Sequence, residues 1–366
     1  MKSFIPWTFV LASSVALSLA QAGGPEAVPL RQTAESAGML IGTAVRPSQF
    51  SEPRYATTLG REFNMVEPED AMKWWVLHAN AGRYDFSAGD QIVEFAAGHR
   101  MKVRGHTLVW GRSNPAWLSE AQYTSPQLSH LLQEHIETVV GHYRGRVFAW
   151  DVVNEAFDEH GKLRSSLWYD QPGIGFAGQG TAYIERCFRW AHTADPAALL
   201  FYNEAGAEEM NAKSDAIYAM AKDFVRRGVP IHGVGLQMHV ENLHVDAASV
   251  SANIRRLTAL GLQVHITELD VAIPVDASGN PRHVEDLDRQ AEIYRLIASA
   301  CLAHPGCTAL QMWGFTDKYS WIGSHSGHTQ GAALLFDREY RPKPAYDALQ
   351  HGFRQGRVTA RTRKQE

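Results

Sequence analysis

FAWDVVNE, residues 148–155, is a short apolar run that ends in a carboxylate. The run VHITE, residues 264–268, has the same form. Short apolar runs of this kind are typical of strands that are buried on both faces. A single glutamate at such a strand end could be an ordinary polar residue at the start of a loop. Because Glu155 and Glu268 share this context, we interpret them as a pair with a chemical role.

Two carboxylates that face one site suit the cleavage of a glycosidic bond. One donates a proton to the leaving oxygen, and the other stabilises or attacks the carbon on which positive charge develops. Both glutamates have polar neighbours, because Asn154 precedes the first and Asp270 follows shortly after the second. The pair therefore predicts a glycosidase, a hypothesis that the rest of the chain can support or contradict.

Apolar strand candidates recur along the chain with helix-like segments between them. We place eight, at residues 39–45, 62–65, 102–106, 147–154, 199–203, 233–239, 263–268 and 309–313. The alternation predicts a parallel sheet, and the number fits a closed (β/α)8 TIM barrel, an α/β fold of one domain. An open doubly wound sheet would carry a glycine-rich phosphate loop after its first strand, which IGTAV at residues 41–45 does not supply.

The composition agrees with a large globular enzyme. The chain has 366 residues, of which 45% are hydrophobic, so it can bury a substantial core. A net charge of -4 argues against a nucleic-acid partner or an anionic membrane. The ten tryptophans and twelve tyrosines include flat faces that can stack on sugar rings, although most of them should fill the core.

The N-terminus has the features of a secretory signal peptide. Lys2 supplies the positive start, residues 4–19 are mostly apolar, and Ala20-Gln21-Ala22 is a pattern that signal peptidase accepts. A membrane anchor is the alternative, but the apolar stretch is short and three serines interrupt it. We expect an exported, soluble protein with a signal peptide (1–22), an N-terminal linker (23–36), a catalytic domain (37–355) and a mobile, basic tail (356–366).

The three cysteines agree with an oxidising compartment, either periplasmic or extracellular. Cys301 and Cys307 flank Leu-Ala-His-Pro-Gly, a turn-forming stretch that could bring their sulfurs together, so we predict a disulfide between them. Cys187 lies in a helix-like segment and is expected to be a buried free thiol.

A barrel of this kind places its chemistry where the strands run into loops at the C-terminal face. Polar and aromatic residues collect at those predicted strand ends in this chain. They are Glu69, Lys73, His106, Trp110, Asn154, Glu155, Gln237, His239, Glu268, Asp270 and Trp313.

Long motifs containing these residues resemble those of the glycoside hydrolase family 10 endo-1,4-β-xylanases. They occur in order as NMVEPEDAMKW (64–74), VRGHTLVWG (103–111), AWDVVNEAF (149–157), GVGLQMHV (233–240), ITELD (266–270) and MWGFTDKYSW (312–321). The resemblance extends from about residue 37 to residue 353. It implies a β-1,4-linked polysaccharide or oligosaccharide as partner, with xylan favoured, and no cofactor or metal. We expect a monomer.

The resemblance also implies a retaining mechanism. Glu155 would be the general acid/base and Glu268 the nucleophile, with their carboxyl groups about 5 to 5.5 Å apart. His239, oriented by Asp270, would keep Glu268 ionised, while Asn154 would bond the sugar 2-hydroxyl. Gln237 would position the catalytic groups. The sugar subsites would be formed by Glu69, Asp70, Lys73, His106, Trp110, Asn203, Trp313 and Trp321.

The sequence departs from the family pattern at three places. Asp70 replaces the asparagine of Pro-Glu-Asn, and Gly111-Arg112-Ser113 replaces His-Ser-Gln after Trp110. Asn203-Glu204-Ala205-Gly206 replaces Asn-Asp-Tyr-Asn. These changes leave the two glutamates intact and bear on the substrate, so a decorated xylan or another β-glycan is the alternative to plain xylan.

Two other classes of protein are alternatives to a glycosidase. A zinc hydrolase would need converging histidines, for which His106, His239 and His265 are candidates. Strand alternation, however, predicts that His265 faces away from Glu268, and neither HxH nor HExxH spacing occurs. A glycan-binding protein without activity is the other class, which the intact pair of glutamates disfavours.

Overall fold

The structure, a computed structural model, describes Met1 and residues 28–362. Apart from Met1, the predicted signal peptide lies outside the described residues, as do residues 23–27 of the predicted linker and 363–366 of the predicted tail.

Eight parallel strands form a closed barrel. Each strand pairs with the next one in chain order, and the last pairs with both the seventh and the first. The strands are β1 (Leu40–Val45), β2 (Met65–Pro68), β3 (Lys102–Gly105), β4 (Ala149–Asn154), β5 (Leu199–Glu204), β6 (Gly233–Leu236), β7 (Gln263–Val271) and β8 (Cys307–Met312). The predicted single-domain (β/α)8 barrel is therefore confirmed.

Helices connect the strands and cover the outside of the barrel. They are α1 (Leu30–Ser36), α2 (Pro53–Glu62), α3 (Trp74–Leu77), α4 (Ser87–Gly98), α5 (Ala116–Ser119), α6 (Ser125–His142), α7 (Ala182–Ala194), α8 (Ala212–Arg226), α9 (Ala247–Thr258), α10 (Glu285–Leu302), α11 (Ile322–His325) and α12 (Pro344–Thr362). Two 3-10 turns lie at Pro47–Ser51 and Asp317–Tyr319. No helix in the described part of the chain combines the length and the apolar character that a membrane crossing needs.

Two strands differ from their predicted positions. The predicted strand at 62–65 was placed too early, because α2 extends to Glu62 and the chain enters the sheet only at Met65. The predicted strand at 233–239 ends at Leu236 instead. Met238 has a positive φ of 72°, which breaks the extended backbone, and His239 belongs to a separate two-residue strand beside Asp270.

Both predicted domain boundaries require correction. Residues 30–36 are not a linker but helix α1, which packs against α12 and buries Leu30 completely. The Thr33 hydroxyl donates to Gln350 Oε1 at 2.6 Å, so the two ends of the described chain are joined. At the other end, the backbone of residues 356–362 continues α12 where we expected a mobile tail.

The cysteines are arranged as predicted. Cys301, near the end of α10, forms a disulfide with Cys307 at the start of β8, with Cα atoms 5.3 Å apart. The short turn between them joins a helix of the outer layer to a strand of the barrel. Cys187 is a buried free thiol in α7.

His265 points into the barrel, contrary to the prediction from strand alternation. Arg104 Nη1 on β3 donates to its Nδ1 at 2.8 Å, and these strands are not neighbours, so the bond crosses the lumen. The register between β7 and β8 is irregular, since Ile266 pairs with Leu310 but Leu269 pairs with Met312. Three steps along β7 therefore match two along β8. This irregularity allows residues three positions apart to face the same side.

Candidate active site

The two glutamates lie at the C-terminal end of the barrel, on different strands. Glu155 directly follows β4 with a positive φ of 53°, and its backbone N–H donates to Asn203 O at 3.0 Å. A non-glycine residue in this left-handed region is strained and is held there by its surroundings. Glu268 lies within β7 and is buried, whereas Glu155 is partly exposed to the cleft.

Three amide side chains join the two carboxyl groups. Gln237 Nε2 donates to Glu155 Oε1 at 3.0 Å and to Asn154 Oδ1 at 3.3 Å. Asn203 Nδ2 donates to Asn154 Oδ1 at 3.0 Å and to Glu268 Oε1 at 2.8 Å. The structure thus brings Glu155 and Glu268 into one connected site, and it leaves the Asn154 amide nitrogen to meet a ligand.

Asn203 was predicted to bind substrate, and the structure contradicts this. The side chain is fully buried, and both hydrogens of its amide are used by Asn154 and Glu268. Its Oδ1 accepts from the Thr267 hydroxyl at 2.8 Å. Asn203 therefore positions the nucleophile candidate from below and has no donor left for a sugar.

His239 lies between two carboxylates. Its Nε2 is 3.2 Å from Glu268 Oε2, and its Nδ1 is 3.0 Å from Asp270 Oδ1. Since carboxylates only accept, the ring donates from both nitrogens when it is protonated. Burial alone would lower the pKa of His239, but the charges of Asp270 and Glu268 raise it well above the ordinary value. Trp321 Nε1 donates to the other oxygen of Asp270 at 2.8 Å and fixes its orientation.

Glu268 is held in its ionised form. Burial, the largest single influence, would by itself raise the pKa of this carboxyl group, but the hydrogen bond and charge of His239 and its other neighbours together outweigh burial. The positive field of His106 and the bond from Asn203 act in the same direction. The net result is a pKa below the ordinary value for glutamate, which suits a nucleophile that must be negatively charged.

Aromatic side chains and one lysine surround the pair. Trp110 Nε1 donates to Glu155 Oε2 at 3.2 Å. Lys73 Nζ lies 5.2 Å from the ring centroid of Trp110 and 5.6 Å from that of Trp313. The rings of His106 and Trp313 meet edge to face at 5.3 Å, and Trp321 packs against His239 at 5.1 Å. The predicted aromatic and polar residues of the cleft are thus brought together.

Glu69 and Asp70 lie at the edge of this cleft with a partner that the sequence analysis missed. Arg46 donates from Nε and Nη2 to the two oxygens of Glu69, at 2.8 and 2.5 Å, and its Nη2 is 3.7 Å from Asp70. Lys73 Nζ is 3.2 Å from Asp70 Oδ1. Because Arg46 directly follows β1, the rule that sites form at strand ends could have found it.

A buried charged cluster below His106 was also missed. His106 Nδ1 lies 3.0 Å from Asp151 Oδ2 and 3.2 Å from Glu67 Oε1, while Arg104 forms an ion pair with Asp151. Burial, followed by repulsion from Asp151, raises the pKa of Glu67 well above its ordinary value. Burial alone would raise the pKa of Asp151, but the charges and hydrogen bonds of Arg104 and His106 lower it to about 2. The cluster fixes the ring of His106 from beneath.

Among the described residues, Glu67, His106 and Asp151 are the group whose ligand atoms are close enough together for a metal ion. Arg104 donates to both oxygens of Asp151, so a cation there would meet a guanidinium. The three histidines considered for a zinc site do not converge. His106 bonds Asp151, His239 bonds Glu268 and Asp270, and His265 bonds Arg104 and Thr308.

Comparison with known proteins identifies the family of this chain. The family model described as glycosyl hydrolase family 10 matches residues 29–351. The chain belongs to glycosyl hydrolase family 10. It is 43% identical to endo-1,4-beta-xylanase B of Thermotoga neapolitana over 330 residues, which cover 89% of this chain and 92% of that protein.

Solved structures of family 10 enzymes superimpose closely on this chain. Xylanase 10B from Thermotoga petrophila RKU-1, crystallised in complex with xylobiose, has a TM-score of 0.85 and 41% identity, with 92% of this chain and 100% of that one covered. Native xylanase 10B from Thermotoga maritima has a TM-score of 0.84 at the same identity, covering 91% and 100%.

Glu204, one of the departures from the family 10 pattern, is not in the sugar cleft as we expected. It is fully buried, and its Oε2 accepts from the Tyr202 hydroxyl at 2.5 Å and from Phe157 N at 3.1 Å. Lys213 Nζ lies 3.6 Å from its other oxygen. Glu204 therefore anchors the loop that follows Glu155, and the substitution affects the support of the site rather than a subsite.

Proposed function

We propose that this protein is an endo-acting β-1,4-xylanase that hydrolyses xylan and xylo-oligosaccharides with retention of the anomeric configuration. The observation that carries the proposal is the pair of carboxyl groups joined by Gln237, Asn154 and Asn203. The two groups share a site but have different surroundings, which a division between acid/base and nucleophile requires.

Glu268 is proposed as the nucleophile. Its hydrogen bonds from His239 and Asn203 keep it charged and fix its orientation. The carboxylate is therefore already oriented for attack on the anomeric carbon. Attack forms a covalent glycosyl-enzyme and releases the leaving oxygen, which needs a proton.

Glu155 is proposed as the acid/base. Its partners, Trp110 and Gln237, are neutral donors that hold the carboxyl group at the cleft, where it can reach the leaving oxygen. It would give a proton to the leaving oxygen and afterwards take one from the water that hydrolyses the intermediate.

The cleft supports a sugar polymer as substrate. Trp110, Trp313 and Trp321 offer apolar faces for the sugar rings, and Lys73 and His106 offer donors for the hydroxyl groups at the ring edges. Xylan is favoured because the relatives above are named xylanases and one solved relative is in complex with xylobiose.

Export is proposed from the N-terminal pattern, and the disulfide between Cys301 and Cys307 supports an oxidising compartment. The finding that would contradict export is a mature protein that begins at Met1 and is recovered from the cytoplasm.

The test is hydrolysis of a linear xylo-oligosaccharide, with the anomer of the first product followed by NMR. We expect the β-anomer. Glu268→Ala should abolish turnover, and Glu155→Ala should lower kcat by about 10²- to 10⁴-fold. An aryl xyloside with a leaving group that needs no proton provides a second substrate. On it, Glu155→Ala should form the glycosyl-enzyme with a much smaller loss of rate. Glu268→Ala should be as inactive as on the oligosaccharide.

Glu94, an exposed glutamate on the outer helix α4, provides the control. Its replacement by Ala should leave the rate of hydrolysis of both substrates unchanged. An α-anomer as first product would contradict the retaining mechanism, and equal turnover on a linear β-glucan would contradict the preference for xylan.

A further inference from the structure

A cavity of about 400 Å³ lies beside Glu155. Its lining includes Trp110, Gly111 and Arg112 on one side and Arg164 and Ser166 on the other. Of the two catalytic glutamates, only Glu155 lines it, and Glu69, Lys73 and His106 do not. The cavity therefore opens next to the proposed acid/base and adjoins the proposed sugar cleft, with which it shares Trp110 and Asn154. Its volume falls in the range of small-molecule sites.

The absence of a side chain at Gly111 helps to keep this space open. A Cβ atom there would already meet Ser166 Cβ at 3.3 Å, so a larger side chain would have to extend into the cavity or displace the neighbouring loop. The family pattern carries a histidine at this position, and the chain has instead a glycine followed by an arginine.

Arg112 brings an unpaired positive charge to the cavity. It is exposed, and it has no hydrogen-bond or ion-pair partner among the residues that the structure describes. Arg164, in contrast, is anchored, because its Nε donates to Phe157 O at 2.8 Å and its Nη2 is 3.4 Å from Glu159.

Besides Glu155, the lining has one acidic residue, Asp158, and its carboxylate is already hydrogen-bonded. Its Oδ1 accepts the backbone N–H groups of His160 and Lys162 at 3.0 and 2.8 Å, which stabilise its charge within its own turn. A ligand that enters the cavity therefore meets a free guanidinium and a carboxylate that is hydrogen-bonded elsewhere.

The opposite side of the cleft has a different character. A second cavity, of about 370 Å³, is lined by His239 together with three carboxylate residues: Glu208, Glu209 and Glu241. Among the described residues, neither an arginine nor a lysine lines it. An acidic group on the substrate would be repelled there and attracted towards Arg112.

We propose that the cavity beside Glu155 binds a uronic acid branch of the substrate, with the Arg112 guanidinium receiving the branch carboxylate. This inference rests on the proposed function, since it assumes a β-1,4-linked sugar chain in the cleft. A guanidinium matches a carboxylate with two parallel hydrogen bonds, and the cavity has room for one sugar ring. The substrate class would thus be a glucuronoxylan-type polymer rather than a plain xylan.

The test compares kcat/KM for a linear xylo-oligosaccharide and for the same oligosaccharide with one uronic acid branch. Arg112→Gln should lower the ratio of branched to linear kcat/KM by about tenfold, as expected for the loss of a charge-assisted hydrogen bond. High salt should move the wild-type ratio in the same direction. The methyl ester of the branched substrate has the same shape without the charge, so its kcat/KM should be insensitive to Arg112→Gln.

Arg144→Gln is the matched control. Arg144 is an exposed arginine between α6 and β4, on the other end of the barrel, and its replacement should leave the ratio unchanged. An unchanged ratio in Arg112→Gln, or equal losses on the acid and its ester, would overturn the inference. Failure of the wild type to hydrolyse the linear substrate would instead contradict the proposed function.

Discussion

At the scale of single residues, Glu204 shows how a fully buried carboxyl group can support the site from outside the proposed sugar cleft. It holds the loop after Glu155 through Phe157 N and lies in contact with the Tyr202 hydroxyl. Burial raises its pKa from 4.5 to about 7, while Tyr202 and Lys213 act in the opposite direction. The residue next to the positioning amide Asn203 therefore changes charge near neutral pH.

This shift predicts a pH-dependent stability. Below pH 4.5 Glu204 is protonated in both the folded and the unfolded state. Its stabilising contribution to the free energy of unfolding is then fully present. Between pH 4.5 and about 7 the unfolded chain has released a proton that the folded protein retains, so the contribution is lost as the pH rises. Over this pH range the free energy of unfolding of the wild type should fall by about 3 kcal/mol relative to that of Glu204→Gln.

Urea unfolding of both proteins from pH 4 to pH 8 measures this difference. Glu94→Gln, at an exposed position, should run parallel to the wild type. A gap between wild type and Glu204→Gln that does not change with pH would contradict the shifted pKa of Glu204.

The sequence predicted the residues near the C-terminal ends of strands better than those deeper within them. Glu155, Gln237, His239 and Lys73 were found because loops at one end of a barrel meet. Glu67 and Asp151 lie inside strands, and the sequence does not show which residues of other strands contact them. The same limit applies to Asn203, whose partners are on β4 and β7.

At the scale of elements, helix α1 connects the two ends of the described chain. Leu30 is fully buried, its backbone N–H donates to Glu62 Oε2 at 2.8 Å, and Glu62 also accepts from the Tyr346 hydroxyl on α12. The sequence could not predict this helix, because seven residues are too few to be stable alone. Its stability comes from contacts with residues that are distant in the chain.

Leu30→Ala should therefore destabilise the whole domain. Removal of a fully buried leucine side chain costs about 2 to 5 kcal/mol through lost burial and the cavity left behind. Chemical denaturation measures the loss. Gln32→Ala, on the exposed side of the same helix, is the control and should stay within about 0.5 kcal/mol. Equal effects of the two substitutions would show that α1 is not docked.

At the scale of the whole molecule, Arg104 connects strands across the barrel interior. It forms an ion pair with Asp151 on β4 and donates to His265 on β7, and it is fully buried. His265 then donates from Nε2 to the Thr308 hydroxyl on β8 at 3.0 Å. Burial and the nearby guanidinium lower the pKa of His265 well below its ordinary value, so the ring is neutral.

Arg104→Met should destabilise the protein by about 3 to 5 kcal/mol, because the buried charge of Asp151 would lose its guanidinium partner and keep only His106. Arg104→Met with Asp151→Leu should recover part of that loss. The double variant should still bind substrate poorly, since Asp151 orients His106 from below. Thermal unfolding and KM measure the two effects separately, with Arg144→Met as the surface control. A single variant as stable as the wild type would contradict the role of Arg104.

The barrel itself was predictable from the sequence because eight apolar runs alternate with helical segments. The side chains that cross its lumen were not. Strand alternation placed His265 outside, and the irregular register between β7 and β8 reverses that prediction. Register is a property of two strands together, so the sequence of one strand does not determine it.

The three amides between the carboxyl groups of Glu155 and Glu268 carry no net charge. In the proposed double displacement, Glu268 loses its negative charge when it becomes an ester, while Glu155 gains one when it gives up its proton. The negative charge is thus transferred from one end of the amide chain to the other, and the total charge of the pair stays constant. A site built in this way can pass through its reaction cycle without a compensating ion entering or leaving the barrel.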